Sequence, residues 1–150
     1  MKIPLKFGLI ITAGLVAWVV IAHTLVPDPQ SRVHSLGAVT FFNILHFTGL
    51  FLGLKAFERE RGGKQPFKQL IKTGVSISFV FAVASSLFFA AVLVVIGPKW
   101  MGGKPGAQEL APWLVAVQAF AGLVVLTMLF GLVYSTVISF VLAKRHSEDN

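Results

Sequence analysis

Apolar residues fall into four long runs along the chain, and polar residues gather between them. The first run is Phe7–Val26, the second extends from about Ser35 to Lys55, the third reaches Gly97-Pro98, and the fourth is Leu110–Ala143. Each is long enough to cross about 30 Å of hydrocarbon at about 1.5 Å per residue. A backbone in lipid must satisfy its own hydrogen bonds, so such runs predict helices, at about 5–26, 35–57, 66–97 and 110–143. Pro27 and Pro29 mark where the chain leaves the first helix. That first run is expected to be retained as a span: its apolar part exceeds a signal-peptide core, and Val20-Ile21-Ala22 is not an A-x-A cleavage site. The fourth run is longer than one crossing needs, so it must tilt, bend or project past the headgroups at its Trp113 end.

The polar stretches are short. Pro27–His34 reads as a turn, and Pro98–Gly106, with its glycines and prolines, as a turn-rich connection. Only Glu58–Lys72 is a long segment that cannot lie in a bilayer. Within it Lys64, Lys68 and Lys72 recur every four residues, with Phe67, Leu70 and Ile71 on the other side and Pro66 suited to a first helical position. This predicts an interfacial amphipathic turn whose lysines reach anionic lipid headgroups.

Composition agrees with lipid as part of the solvent. With 55% hydrophobic and 13% charged residues in 150, and a mean hydropathy of +0.80, the chain lacks the polar residues to coat a soluble globule. The expected fold class is an all-α membrane protein, a single four-transmembrane-helix bundle of two in-out-in hairpins with no separate soluble domain. The net charge of +7 would suggest nucleic acid if the basic residues covered one folded face, but they bracket the apolar runs. No nucleic-acid partner is expected. Ten Lys and Arg flank the N-terminus, the central loop and the tail, against three (Arg32, Lys99 and Lys104) on the other side. Both termini and the central loop are therefore expected in the cytoplasm, with Trp100 and Trp113 anchoring the outer interface. Zero cysteines excludes disulfides, thiolate metal sites and thiol relays.

Candidate chemistry is sparse. All six carboxylates, Asp28, Glu58, Glu60, Glu109, Glu148 and Asp149, map to loops or ends, which argues against a proton-driven antiporter and less strongly against a passive pore. Most intramembrane polar groups are small hydroxyls able to bond their own helix backbone. Asn43 and His46 differ, because their i, i+3 spacing puts both on one face near mid-membrane. They are either an interhelical hydrogen-bond pair or a ligand site for a quinone headgroup, chlorin or haem. Bis-histidine haem fails on depth, since His23 and His46 would differ by roughly 12 Å at 1.5 Å per residue. No Walker loop, HExxH, GxSxG or nucleophile-base pattern occurs, so no enzyme activity and no cofactor are expected. Small residues are better organised. Gly74, Ser78, Ala82, Ser86 and Ala90 repeat at four-residue spacing in the third helix, as do Thr127, Gly131, Ser135, Ser139 and Ala143 in the fourth, and the second holds Gly49 and Gly53. Such rows open grooves through which helix backbones approach closely.

Around the central loop a family resemblance becomes specific. Gly53-Leu54-Lys55, Arg61, Gly62-Gly63-Lys64, Phe67, Lys72 and Gly74 resemble the regular pattern of small bacterial membrane proteins of the domain-of-unknown-function 4199 family. The similarity covers the second helix, the loop and the third helix, extends weakly to Gly131–Arg145, and reaches the first helix only in hydropathy. Pro66 departs from the helix-compatible residue usual before that Phe, which leaves the start of the third helix open. The resemblance implies four helices in a bacterial inner membrane and no activity. Together these readings point to a structural or accessory subunit that assembles with itself, as a homo-oligomer, or with a larger membrane complex. The rivals are a small transporter or pore and a cofactor-binding subunit using His46.

Overall fold

The computed structural model describes residues 2–25, 32–95 and 111–148, which form four helices: α1 (Lys2–Leu25), α2 (Arg32–Glu60), α3 (Phe67–Val95) and α4 (Pro112–Glu148). All four are long and apolar enough to cross a membrane, and the protein is a multi-pass membrane protein. Helix α2 begins three residues before the expected Ser35, taking in His34, and continues to Glu60. Helix α4 carries on through the basic tail to Glu148 instead of stopping near Ala143. Most of the Pro27–His34 turn and the whole of Pro98–Gly106, with Trp100, lie outside the described residues.

The limits of the helices around the central loop have local causes. At the end of α2 the Gly63 N–H donates to the Glu58 carbonyl at 2.9 Å and the Gly62 N–H to that of Arg59 at 3.3 Å. These are the paired bonds of a Schellman cap, which needs a left-handed residue where Gly62 stands, at φ 76°. At the start of α3 the Pro66 carbonyl accepts from Gln69 and Leu70, at 2.8 and 3.1 Å, so Pro66 caps the helix from outside and Phe67 is its first residue. The role of first-turn proline falls instead to Pro112, behind the capping carbonyl of Ala111. Lys64 consequently sits in coil, and the expected helical ladder of Lys64, Lys68 and Lys72 begins only at Lys68.

Helix α3 lies at the centre. It packs most extensively on α4, then on α1, and α2 closes one side by touching all three other helices. Among the described residues α1 and α4 do not approach each other, so the cross-section is a lozenge with these two at its far corners. A core of Ile11, Leu15, Leu50, Leu54, Ile77 and Phe81 fills the α1–α2–α3 side, and Leu70, Ile138 and Leu142 continue it towards α4. At the far end of the α1–α2 pair Trp18 stacks on Phe41, centroids 4.3 Å apart.

Polar groups are buried among this apolar core, and large apolar side chains also cover the outside. His46, Ser78, Ser85, Ser86, Thr127, Ser135 and Ser139 are buried, whereas large apolar side chains such as Leu36, Leu87 and Val125 point outward. Lipid solvates those outer faces as readily as protein would, so burying them gains little. Close packing and hydrogen bonds must hold the helices together.

Candidate functional site

The polar groups meet halfway along the bundle. Asn43 and His46 stand on one face of α2, and His46 is its central residue, level with Phe81 of α3 and Gly131 of α4. The His46 ring is fully buried. Its Nε2 lies 3.2 Å from the Ser78 Oγ, with the direction of donation set by the tautomer. Three rings enclose it, Phe81 at 4.8 Å, Tyr134 at 5.5 Å and Phe42 at 5.8 Å between centroids. Nδ1 is buried without a hydrogen-bond partner. Beside it the Tyr134 hydroxyl donates to Asn43 Oδ1, and Asn43 Nδ2 donates to the Val39 carbonyl at 2.7 Å. One bond thus ties α2 to α3 and another ties α2 to α4.

Glycine makes this arrangement possible. A Cβ on Gly131 would overlap the Ser78 side chain and come within 3.5 Å of His46 Cε1, so only a bare backbone admits the serine that meets the imidazole. One turn away the roles reverse: a Cβ on Gly74 would lie 2.6 Å from Ser135 Oγ. The small-residue rows of α3 and α4 therefore face each other, each glycine receiving a serine of the opposite helix. Ala82, Ser86, Thr127 and Ser139 are buried too, while Ala90 and Ala143 at the ends of the rows are half-buried. Neither row is left on the outer surface for a partner. Gly49 and Gly53 of α2 turn the other way, Gly49 against Ile11 and Gly53 against Phe7 and Ile77. Gly8 of α1, which sequence reading passed over, brings its backbone against Val80 and the Ile77 carbonyl.

The family described as "Protein of unknown function (DUF4199)" matches residues 6–103, about two thirds of the chain. The chain belongs to the DUF4199 family. The matched region takes in α1, where the sequence showed only a likeness of hydropathy, and ends before α4, so Gly131–Arg145 is not part of it. The DUF4199 region therefore contributes Asn43, His46, Ser78 and Gly74, while Gly131, Tyr134 and Ser135 come from outside it. No curated protein and no solved structure matches the chain.

The remaining candidates separate. Lys64, Lys68 and Lys72 are all exposed, and Lys72 alone of the three lines a cleft, with Lys2 of α1 and Arg61 of the loop. Among the described residues no three His, Asp or Glu side chains converge as metal ligands. The cluster residue absent from the sequence reading is Tyr134. Its signal was its singularity: it is the one tyrosine of the chain, one position before a member of the α4 small-residue row.

Proposed function

We propose that this DUF4199 protein is a non-enzymatic structural or accessory subunit of a bacterial inner membrane, acting by helix assembly with itself or with a larger membrane complex. Both termini and the α2–α3 loop face the cytoplasm on this reading, as the distribution of Lys and Arg favours. The observation that carries it is how the described polar groups of the membrane interior are used. His46 meets Ser78, Asn43 meets Tyr134, and Thr12, Ser85 and Thr136 bond carbonyls of their own helices. The first two bonds join helices and the other three satisfy hydroxyls within one helix, a use of polar groups that suits packing. What remains available is surface. Helix α4 is held by α3 and, more sparsely, by α2, and it presents Val125, Leu129, Leu132 and Val133 outward.

Because the α3 and α4 rows are engaged with each other, assembly runs over these larger side chains and not over the small-residue grooves. Single cysteines introduced at Leu129 and Val133 should form cross-linked species in native membranes, and one at Leu9 on α1 should not. Mild-detergent extraction should recover the protein with its own copies or with a co-migrating partner. Recovery as a monomer without partners, combined with solute flux in proteoliposomes, would move the reading to a transporter or pore.

One observation favours the cofactor-binding alternative in a modified form. Asn43, Ile44, Phe47, Thr48 and Tyr134 line a cleft of about 320 Å³ between α2 and α4. A headgroup there would meet Asn43 and Tyr134, since His46 is enclosed by its rings. A visible absorption band or an extractable small molecule in purified protein would support it.

A further inference from the structure

At the end of the bundle that carries the α2–α3 loop, the first turn of α1, the last turn of α2 and the start of α3 enclose a half-open cleft of about 570 Å³. Three cations reach it from three separate parts of the chain: Lys2 from α1, Arg61 from the loop and Lys72 from α3. One carboxylate, Glu60, shares the lining. Arg61 is positioned by its stacking on Phe57, with the guanidinium carbon 5.5 Å from the ring centroid. Three like charges around one cavity repel each other, and a single carboxylate offsets only one, so the cleft carries an excess of positive charge that an anion would relieve. Gln69 and Thr73 add neutral hydrogen-bonding groups. Helix α1 also starts here, and the N-terminal end of its dipole contributes partial positive charge.

The other part of the lining is apolar. Ile3, Pro4 and Phe57 stand beside the cations, at the level where the α1 span begins. A soluble phosphate has no use for such a surface, whereas a lipid presents a phosphate and hydrocarbon together. We propose that this cleft binds the phosphate of an anionic membrane lipid, with Lys2, Arg61 and Lys72 pairing its charge and Ile3, Pro4 and Phe57 receiving the glycerol and upper acyl chain. The site is distinct from a diffuse basic surface, because Lys68, one turn before Lys72, does not line it. It does not depend on the assembly proposed above.

The test uses the full chain in mild detergent, with native mass spectrometry counting retained phosphatidylglycerol against phosphatidylcholine. The wild-type protein should retain the anionic lipid in preference. K72Q and R61Q should each weaken retention about fivefold, the loss of one lysine- or arginine-sized contribution at an anionic surface. R61K keeps the charge and should keep most of the binding, and K68Q should leave it unchanged. Equal retention of the two lipids, or a loss in K68Q as large as in K72Q, would overturn the proposal. So would displacement of the lipid by millimolar inorganic phosphate, which would make the cleft a soluble-anion site. The same spectra report oligomeric state, so failure here is distinguishable from failure of the assembly reading.

Discussion

Tyr134 joins α4 to α2 where few other contacts do, through its hydroxyl as well as its ring. Its ring packs near His46, Phe47 and Phe130, at centroid distances of 5.5, 5.7 and 5.9 Å. Tyr134→Phe preserves that packing and removes the donor, leaving the half-buried Asn43 Oδ1 without its partner on α4. Interhelical hydrogen bonds between membrane helices contribute about 0.6 kcal/mol on average and about 1.7 at most, because the separated helices also find partners. Tyr134→Phe should therefore cost within that range in reversible unfolding from mixed micelles, and a double-mutant cycle with Asn43→Ala should recover most of it as coupling. Additive effects at the two positions would show that the bond contributes nothing. The partnership was hidden in the sequence because a phenol scores as an aromatic side chain until its neighbour is known, and Asn43 is 91 positions away.

Between elements the decisive feature is the reciprocal fit of glycine and serine along the α3–α4 seam. A methyl on Gly74 would lie 2.8 Å from Ser135 Cβ and 3.5 Å from its Cα, so the helices would have to separate. Overpacking of this kind costs about 1–3 kcal/mol. Gly74→Ala should lower the unfolding midpoint accordingly, and adding Ser135→Gly should restore much of the loss, since the Ser135 hydroxyl has no hydrogen-bond partner to forfeit. A double variant no more stable than Gly74→Ala alone would mean that the two residues do not share the contact. Both rows were visible as four-residue spacing. Their mutual engagement was not, because a small residue offers the same groove to a neighbour in its own bundle as to another protein.

For the whole molecule, the lozenge arrangement makes α3 the organising helix and leaves α4 at an outer corner. Orientation is a property of the same scale, set by charge outside the spans and not by packing within them. With no native cysteine, single cysteines at Ser31 and Gln65 report the two sides of the membrane. An impermeant thiol reagent added to intact cells should label Ser31→Cys and spare Gln65→Cys. The opposite labelling would reverse the topology, and with it the leaflet that supplies the lipid proposed for the cleft.

By itself the sequence determined the number of spans, their approximate limits and the family, since these follow from local quantities: the length of an apolar run, a proline that cannot continue a helix, a pattern of residues around one loop. It also placed Asn43 and His46 on one face, because i, i+3 spacing is a property of a single helix. The tertiary structure alone decided which faces meet. In water, alternating polar and apolar positions announce the inner face of a helix. In lipid both faces are apolar, so periodicity carries little of that information. The meeting of His46 with Ser78, the serines seated on opposing glycines, and the convergence of Lys2, Arg61 and Lys72 on one cleft each join residues from separate parts of the chain. Only the packing of the four helices brings them together.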